Sequence, residues 1–305
     1  MNIMTAPTQP ARVTDTAGIA VIPSGGALGA DIEGFDFEAL APAQITALRA
    51  AWLDHGVVRF RNCNITDEQH IRLTGALGEF VKHPRQLRGE EGAHELYEEI
   101  LVIGNAKRDG KVVGTMGNSE ARWHSDTFIK ERPPAAALLR AMQLPSCGGD
   151  TYFADMYSIY DDLPESMKRI LDGRMIQLDV VWNSPGRLRA GCEAPTSDDF
   201  RLWPSIRHPI VRTHGETGRN CLYLGARTDS AWIVGLPLDE SAALLDELFD
   251  RVAQPQYHWA QVWKHGDMIM WDNRRTMHRR DGWSAEEVRV MHRTTTMGEK
   301  PHFVV

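Results

Sequence analysis

The sequence predicts a single, mainly β domain with flanking helices, on three observations: a long series of short strand-like runs, few helical patterns and no internal repeat. After Pro133-Pro134 the chain becomes a succession of runs rich in β-branched and aromatic residues, separated by Gly, Pro, Asn and Asp, which is how strands bounded by turns read. The runs are 135–144, 151–156, 176–182, 208–214, 221–225, 257–263, 267–271 and 288–297. Helical stretches at 163–173 and 238–254 interrupt them. Many short strands with few helices favour a closed or double-sheet β architecture over a parallel βαβ sheet.

Ahead of this series, residues 1–17 mix Pro, Thr and Ala and are expected to form a flexible arm, leaving 18–305 as the domain. Residues 19–24 read as a short strand, and the glycine-rich stretch after them lacks the GK[ST] ending of a phosphate loop, so it reads as an ordinary loop. In 42–56 the apolar residues Ile45, Leu48, Trp52 and Leu53 recur near helical spacing and the stretch ends at Gly56, which predicts an amphipathic helix. Residues 57–60 read as a strand. A second helix is expected over 66–80, with Thr66 as N-cap and Glu68 in its first turn.

Composition narrows the function. With 305 residues, 42% hydrophobic and 25% charged, the chain can bury a substantial core. A net charge of −7 without any basic block argues against a nucleic-acid partner. No stretch approaches the roughly 20 apolar residues of a membrane span, and the start lacks the apolar run of a signal peptide, so a cytoplasmic protein with no membrane partner is expected. The four cysteines, Cys63, Cys147, Cys192 and Cys221, form no CxxC pair. Any metal must therefore be held by imidazole and carboxylate.

Such a set exists. His124 and Asp126 in RWHSDTF are two residues apart and on a strand would share one face. His278 follows a β-rich run and a turn-like Asp-Asn segment in GDMIMWDNRRTMH. Two histidines and one carboxylate leave three positions of a metal open, the arrangement of non-haem iron(II) oxygenases. A 2-oxoacid can chelate through two of them and oxygen can take the third. A distal carboxylate on that co-substrate needs an anion anchor, to which arginine's planar fork is suited. Arg289 and Arg293 follow His278 in VRVMHRTTTMG, at a separation that places both on one face of a strand.

The chain resembles the taurine dioxygenase and 2,4-dichlorophenoxyacetate dioxygenase family. The resemblance is carried by WHSD at 123–126, LPSCGGDTYFADM at 144–156, HPIVRTHGETGRNCLYLG at 208–225, GDMIMWDNRRTMH and RVMHRTT, in order from about 122 to 298. It implies a double-stranded β-helix, or distorted jelly roll, with a lid-like insertion around 83–120. It also implies Fe(II) held by His124, Asp126 and His278, with 2-oxoglutarate and O2 as co-substrates. Thr151 and Arg289 would bind the far carboxylate of 2-oxoglutarate, with Trp271 close by, and Arg293 would face the anionic group of the prime substrate. The reaction implied is hydroxylation of a small carboxylate or sulfonate, such as an aryloxyalkanoate or alkylsulfonate, with C–O or C–S cleavage to follow. A homo-oligomer, dimer or tetramer, fits the same picture.

Two rival readings share the scaffold: an oxoglutarate-independent metal-dependent oxygenase or hydrolase, and a non-catalytic sensing protein. Among the other polar residues, His208 and His214 read as structural, and His292 as pointing away from the site. Arg274, Arg275, Arg279 and Arg280 read as ordinary surface ion pairs. Trp123, Trp182, Trp203, Trp263 and Trp271 read as core or pocket-lining aromatics.

Overall fold

Apolar runs with no polar alternation demand a sheet buried on both sides, and the largest sheet meets that demand. A computed structural model of the chain describes residues 13–14, 17–82, 92–108, 110–182, 188–189 and 191–304. Its largest sheet has nine strands, in the spatial order Val13–Thr14, Ala20–Pro23, Ala30–Glu33, Val57–Phe60, Met268–Asp272, Pro134–Gln143, Val290–Met297, Leu101–Gly104 and Thr115–Met116. Along the central strands, Val58, Leu138 and Met270 point to one face and pack with Leu48, Trp52 and Leu73 of the helices Pro42–His55 and Asp67–Leu77. Their neighbours Val57, Leu139, Ile269 and Trp271 point to the other face and pack with Phe153 and Trp263.

Phe153 belongs to a second sheet of four strands, ordered His258–Gln261, Thr151–Asp155, Thr276–Arg280 and Ala121–His124. It meets Trp271 of the large sheet with ring centroids 5.5 Å apart. The chain shuttles between the two sheets: Pro134–Gln143 in the large one is followed by Thr151–Asp155 in the small one. Later, His258–Gln261, Met268–Asp272, Thr276–Arg280 and Val290–Met297 alternate between small and large. A further apolar cluster joins the helix Leu238–Val252 to the helices Met156–Asp161 and Glu165–Leu171 and to the strands Met175–Asp179, Val211–Thr213 and Asn220–Leu222. The chain is thus mainly β with flanking helices. No helix among the described residues is long and apolar enough to cross a membrane.

Local signals explain the helices. Pro42 sits in the first turn of Pro42–His55, and Gly56 ends it at φ 68°, donating to the Trp52 carbonyl. Thr66 caps Asp67–Leu77 in a capping box with Gln69. Four expectations are corrected. The strand Thr276–Arg280, rich in polar residues, falls between the strand-like runs of the sequence. The run 151–156 passes directly into the helix Met156–Asp161. The run 208–214 breaks at Ile210 into strands of two different sheets. Finally, Arg274, Arg275 and Arg280 are buried rather than on the surface, and only Arg279 makes a half-exposed pair, with Asp281.

The arm expected over 1–17 lies largely outside the described residues, although Val13 and Thr14 pair with Val21 and Ala20. Of the insertion around 83–120, residues 83–91 and 109 lie outside them too. The described part adds Leu101–Gly104 to the large sheet beside Val290–Met297.

Candidate active site

The site begins with strand register. Ala121–His124 and Thr276–Arg280 are neighbours with His124 opposite His278, so the two imidazoles lie side by side with ring centroids 4.2 Å apart. Asp126 lies past the end of its strand, in a turn, so a shared strand face is not what unites it with His124. The side chains meet nonetheless: Asp126 Oδ1 is 3.9 Å from His124 Nε2 and 4.0 Å from His278 Nε2. One ligand atom from each of the three lies within 4.8 Å of the others.

The protonation states suit a cation. His124 Nδ1 donates to the Arg122 carbonyl at 2.8 Å, which turns Nε2 toward Asp126. Burial, reinforced by His124, pushes His278 down to about 3 against the pull of Asp126. For Asp126 burial acts to raise the pKa, but Arg293 and the two imidazoles outweigh it and hold the carboxyl at about 2. Two imidazoles and one ionised carboxylate form the donor set of a divalent first-row metal. Arg293 is placed on this carboxylate: its Nη1 donates to both Asp126 oxygens at 3.0 Å. Its Nε is buried and has no hydrogen-bond partner among the described residues.

One wall leads from the triad to an unpaired cation. Phe153 lies opposite His278 in register and packs on its ring at 5.7 Å. Thr151, two residues earlier, shares the Phe153 face of the sheet. Its Oγ1 accepts from Trp263 Nε1 at 3.1 Å. The Arg289 guanidinium lies 5.8 Å from the Trp263 ring centroid and 5.3 Å from that of Trp283. Arg289 is 1% exposed, and its Nε, Nη1 and Nη2 all lack a hydrogen-bond partner among the described residues. Burial and then Arg280 push it down to about 9, with Asp150 opposing, so it stays a cation at neutral pH. The backbone makes room for it: a Cβ on Gly149, whose φ is 73°, would lie 3.0 Å from Arg289 Cδ and Nε. A buried guanidinium with all donors free is costly unless an anion completes it. Trp271 is buried with its ring 5.2 Å from that of His278.

Residues 20–295 match the family described as "Taurine catabolism dioxygenase TauD, TfdA family". The chain belongs to this family. It is accordingly a 2-oxoglutarate-dependent non-haem iron dioxygenase. It is 31% identical over 274 residues to the alpha-ketoglutarate-dependent 2,4-dichlorophenoxyacetate dioxygenase of Burkholderia sp. (strain RASC), covering 86% of this chain and 88% of the relative. It is 29% identical over 291 residues to an (S)-phenoxypropionate/alpha-ketoglutarate-dioxygenase of Delftia acidovorans, covering 90% and 93%. Among solved structures, AAD-2 in complex with Mn(II) and N-oxalylglycine superposes with a TM-score of 0.76 at 26% identity, covering 94% of this chain and 99% of that one.

Other polar residues of this TauD/TfdA-family chain are committed elsewhere. His208 Nε2 reaches the Phe128 and Lys130 carbonyls at 2.9 and 3.0 Å, and His214 Nε2 reaches Asp272 at 2.9 Å. His292 points away from the triad and bonds Asp67, next to His94, a second cluster with metal-like spacing. There Arg140 already occupies the Asp67 carboxylate. His94 Nδ1 accepts from the Leu96 and Tyr97 amides at 3.2 Å, so its Nε2 carries the proton and donates. That cluster is a hydrogen-bonded latch.

Reading the sequence missed Trp283, Gly149, Arg280 and Asn273. Arg280 bonds the carbonyls of Met116, Gly117 and Ser119, far away in sequence. The second glycine of GGDT and the Asp-Asn turn were available signals, but their partners lie more than a hundred residues off.

Proposed function

We propose that this enzyme holds Fe(II) at His124, Asp126 and His278 and seats the distal carboxylate of 2-oxoglutarate on Arg289 and Thr151, beside Trp271. The substrate is a small anionic organic molecule, an aryloxyalkanoate or alkylsulfonate, whose anion meets Arg293. The observation that carries this reading is Arg289: a buried cation beside two indoles, with no hydrogen-bond partner among the described residues, on the wall that also carries the triad. The alternating sheets form the double-stranded β-helix, with the insertion around 83–120 as the lid.

When bound, the iron and 2-oxoglutarate supply oxidative decarboxylation to succinate and carbon dioxide, coupled to hydroxylation of the substrate. The chain's own residues bind and orient. His124 and His278 present imidazole nitrogens, Asp126 an ionised oxygen, and Trp263 and Trp283 keep water from the carboxylate end. The unpartnered Nε of Arg293 provides a donor for the substrate's anion without giving up Asp126. The relatives that act on 2,4-dichlorophenoxyacetate and phenoxypropionate favour an aryl ether acid. Hydroxylation beside the ether oxygen or the sulfur gives a hemiacetal-like product that falls apart by C–O or C–S cleavage.

The test is 2-oxoglutarate-dependent oxygen uptake and succinate release across aryloxyalkanoates and alkylsulfonates, with His124→Ala as control. Stimulation by an anionic substrate, lost in the control, is expected. Succinate release unaffected by every anion offered, or equal in His124→Ala, overturns the reading. Arg293→Ala is expected to raise the apparent KM for the substrate, and an unchanged KM removes the anion anchor.

A further inference from the structure

We infer that Asn273 is a positioning residue that sets the Asp126 carboxylate within the triad, an inference that rests on the triad's proposed role as metal ligand set. Asp126 has left its strand, so no ladder fixes its backbone. Asn273 takes the ladder's place. Its Oδ1 accepts from the Asp126 amide at 2.8 Å, and its Nδ2 donates to the Asp126 carbonyl at 3.1 Å, as a neighbouring strand would. Nδ2 also donates to the Pro134 carbonyl at 3.3 Å, and the Asn273 amide donates to Ala135 at 2.9 Å. The loop 126–134 is thereby fastened at both ends to one fully buried side chain. The partners themselves fix which end of the amide is oxygen.

An independent feature shows why a clamp is needed. Thr127, directly after Asp126, has φ 49°, a left-handed conformation that a β-branched residue adopts only when its surroundings impose it. Without the clamp the Asp126–Thr127 link would relax toward an ordinary conformation and turn the carboxylate away from the imidazoles. On the far side, the Ser125 amide donates to the Gly225 carbonyl at 2.8 Å, so the relaxation would fall on Asp126.

The experiment is Mn(II) binding to the full chain, followed by electron paramagnetic resonance, with the Co(II) absorption spectrum as a report on ligand geometry. Asn273→Ala is expected to weaken Mn(II) binding by about tenfold or more and to alter the Co(II) spectrum. Adding Thr127→Gly, which tolerates φ 49° without strain, is expected to recover part of that loss. A role in general stability alone would leave the spectrum of the folded variant unchanged. If Asn273→Ala does not fold, Asn273→Ser, which can accept from the Asp126 amide but lacks the two-pronged donor, carries the same expectation. Binding within about twofold of the native chain, with an unchanged spectrum, overturns the role of Asn273. Absence of any recovery with Thr127→Gly overturns its opposition to the Thr127 strain. If the native chain binds Mn(II) no better than His124→Ala, the triad reading fails instead.

Discussion

Two arginines of this chain are almost equally buried and live in opposite surroundings. Arg274, 3% exposed, donates to Asp272 through Nε and Nη2 at 2.8 and 2.7 Å and to Glu216 through Nη1 at 2.6 Å. His214 completes the Asp272 carboxylate. Arg289, 1% exposed, has indole on two sides and no hydrogen-bond partner among the described residues. Burial alone therefore does not separate a structural cation from a binding one. The difference lies in whether the fold brings the counter-charge itself or leaves it to a ligand.

That contrast can be broken by experiment. Asp272→Asn removes the buried anion that Arg274 and His214 share, leaving Arg274 only Glu216 and Glu299, and is expected to cost about 3–5 kcal/mol of stability, measured by urea unfolding. Burial acts to raise the pKa of Asp272, but Arg274 and His214 dominate and hold it far below the ordinary carboxylate range. Its contribution is thus present above the unfolded carboxyl pKa and lost as pH falls beneath it, so the variant should also show a flatter acid limb. Arg289→Met should behave in the opposite way. Its urea midpoint should not fall, while affinity for 2-oxoglutarate, or for N-oxalylglycine with Mn(II), weakens by roughly 2–5 kcal/mol in calorimetry. A loss of stability like that of Asp272→Asn would erase the distinction between the two arginines. The smallest effect on the ligand belongs to Thr151→Val, expected to weaken 2-oxoglutarate by about 0.5–1.5 kcal/mol, with a lower urea midpoint because Trp263 Nε1 loses its acceptor.

The sequence was most legible where side chains follow a period. The runs around Leu138 and Met270 read as strands because both faces of their sheet are apolar, and Thr66 announced its helix through local capping. Thr276–Arg280 is illegible because all its buried residues but Met277 are polar: Thr276 bonds the Asp272 carbonyl and Arg280 the carbonyls of the insertion. Arg275 reads as a surface residue for a related reason: Asp155, its partner at 2.7 Å, is 120 residues away in sequence, on the strand beside Thr276–Arg280. His124, Asp126 and His278 were all marked, but the strand face assumed for the first two is instead a turn held by Asn273. Such long-range hydrogen bonds leave no periodic trace.

The insertion is stitched into the flank of Arg289. Asn105 donates its amide to the Arg289 carbonyl at 3.2 Å and accepts the Arg289 amide on Oδ1 at 2.9 Å, while Asn118 and Trp283 exchange two bonds at 3.0 and 3.1 Å. With the insertion as the proposed lid and Arg289 as the proposed oxoacid anchor, these bonds are expected to couple the binding of the two ligands. The expected consequence is kinetic: a sequence in which the oxoacid precedes the prime substrate. An inert analogue of that substrate should accordingly inhibit uncompetitively against 2-oxoglutarate, giving parallel double-reciprocal lines.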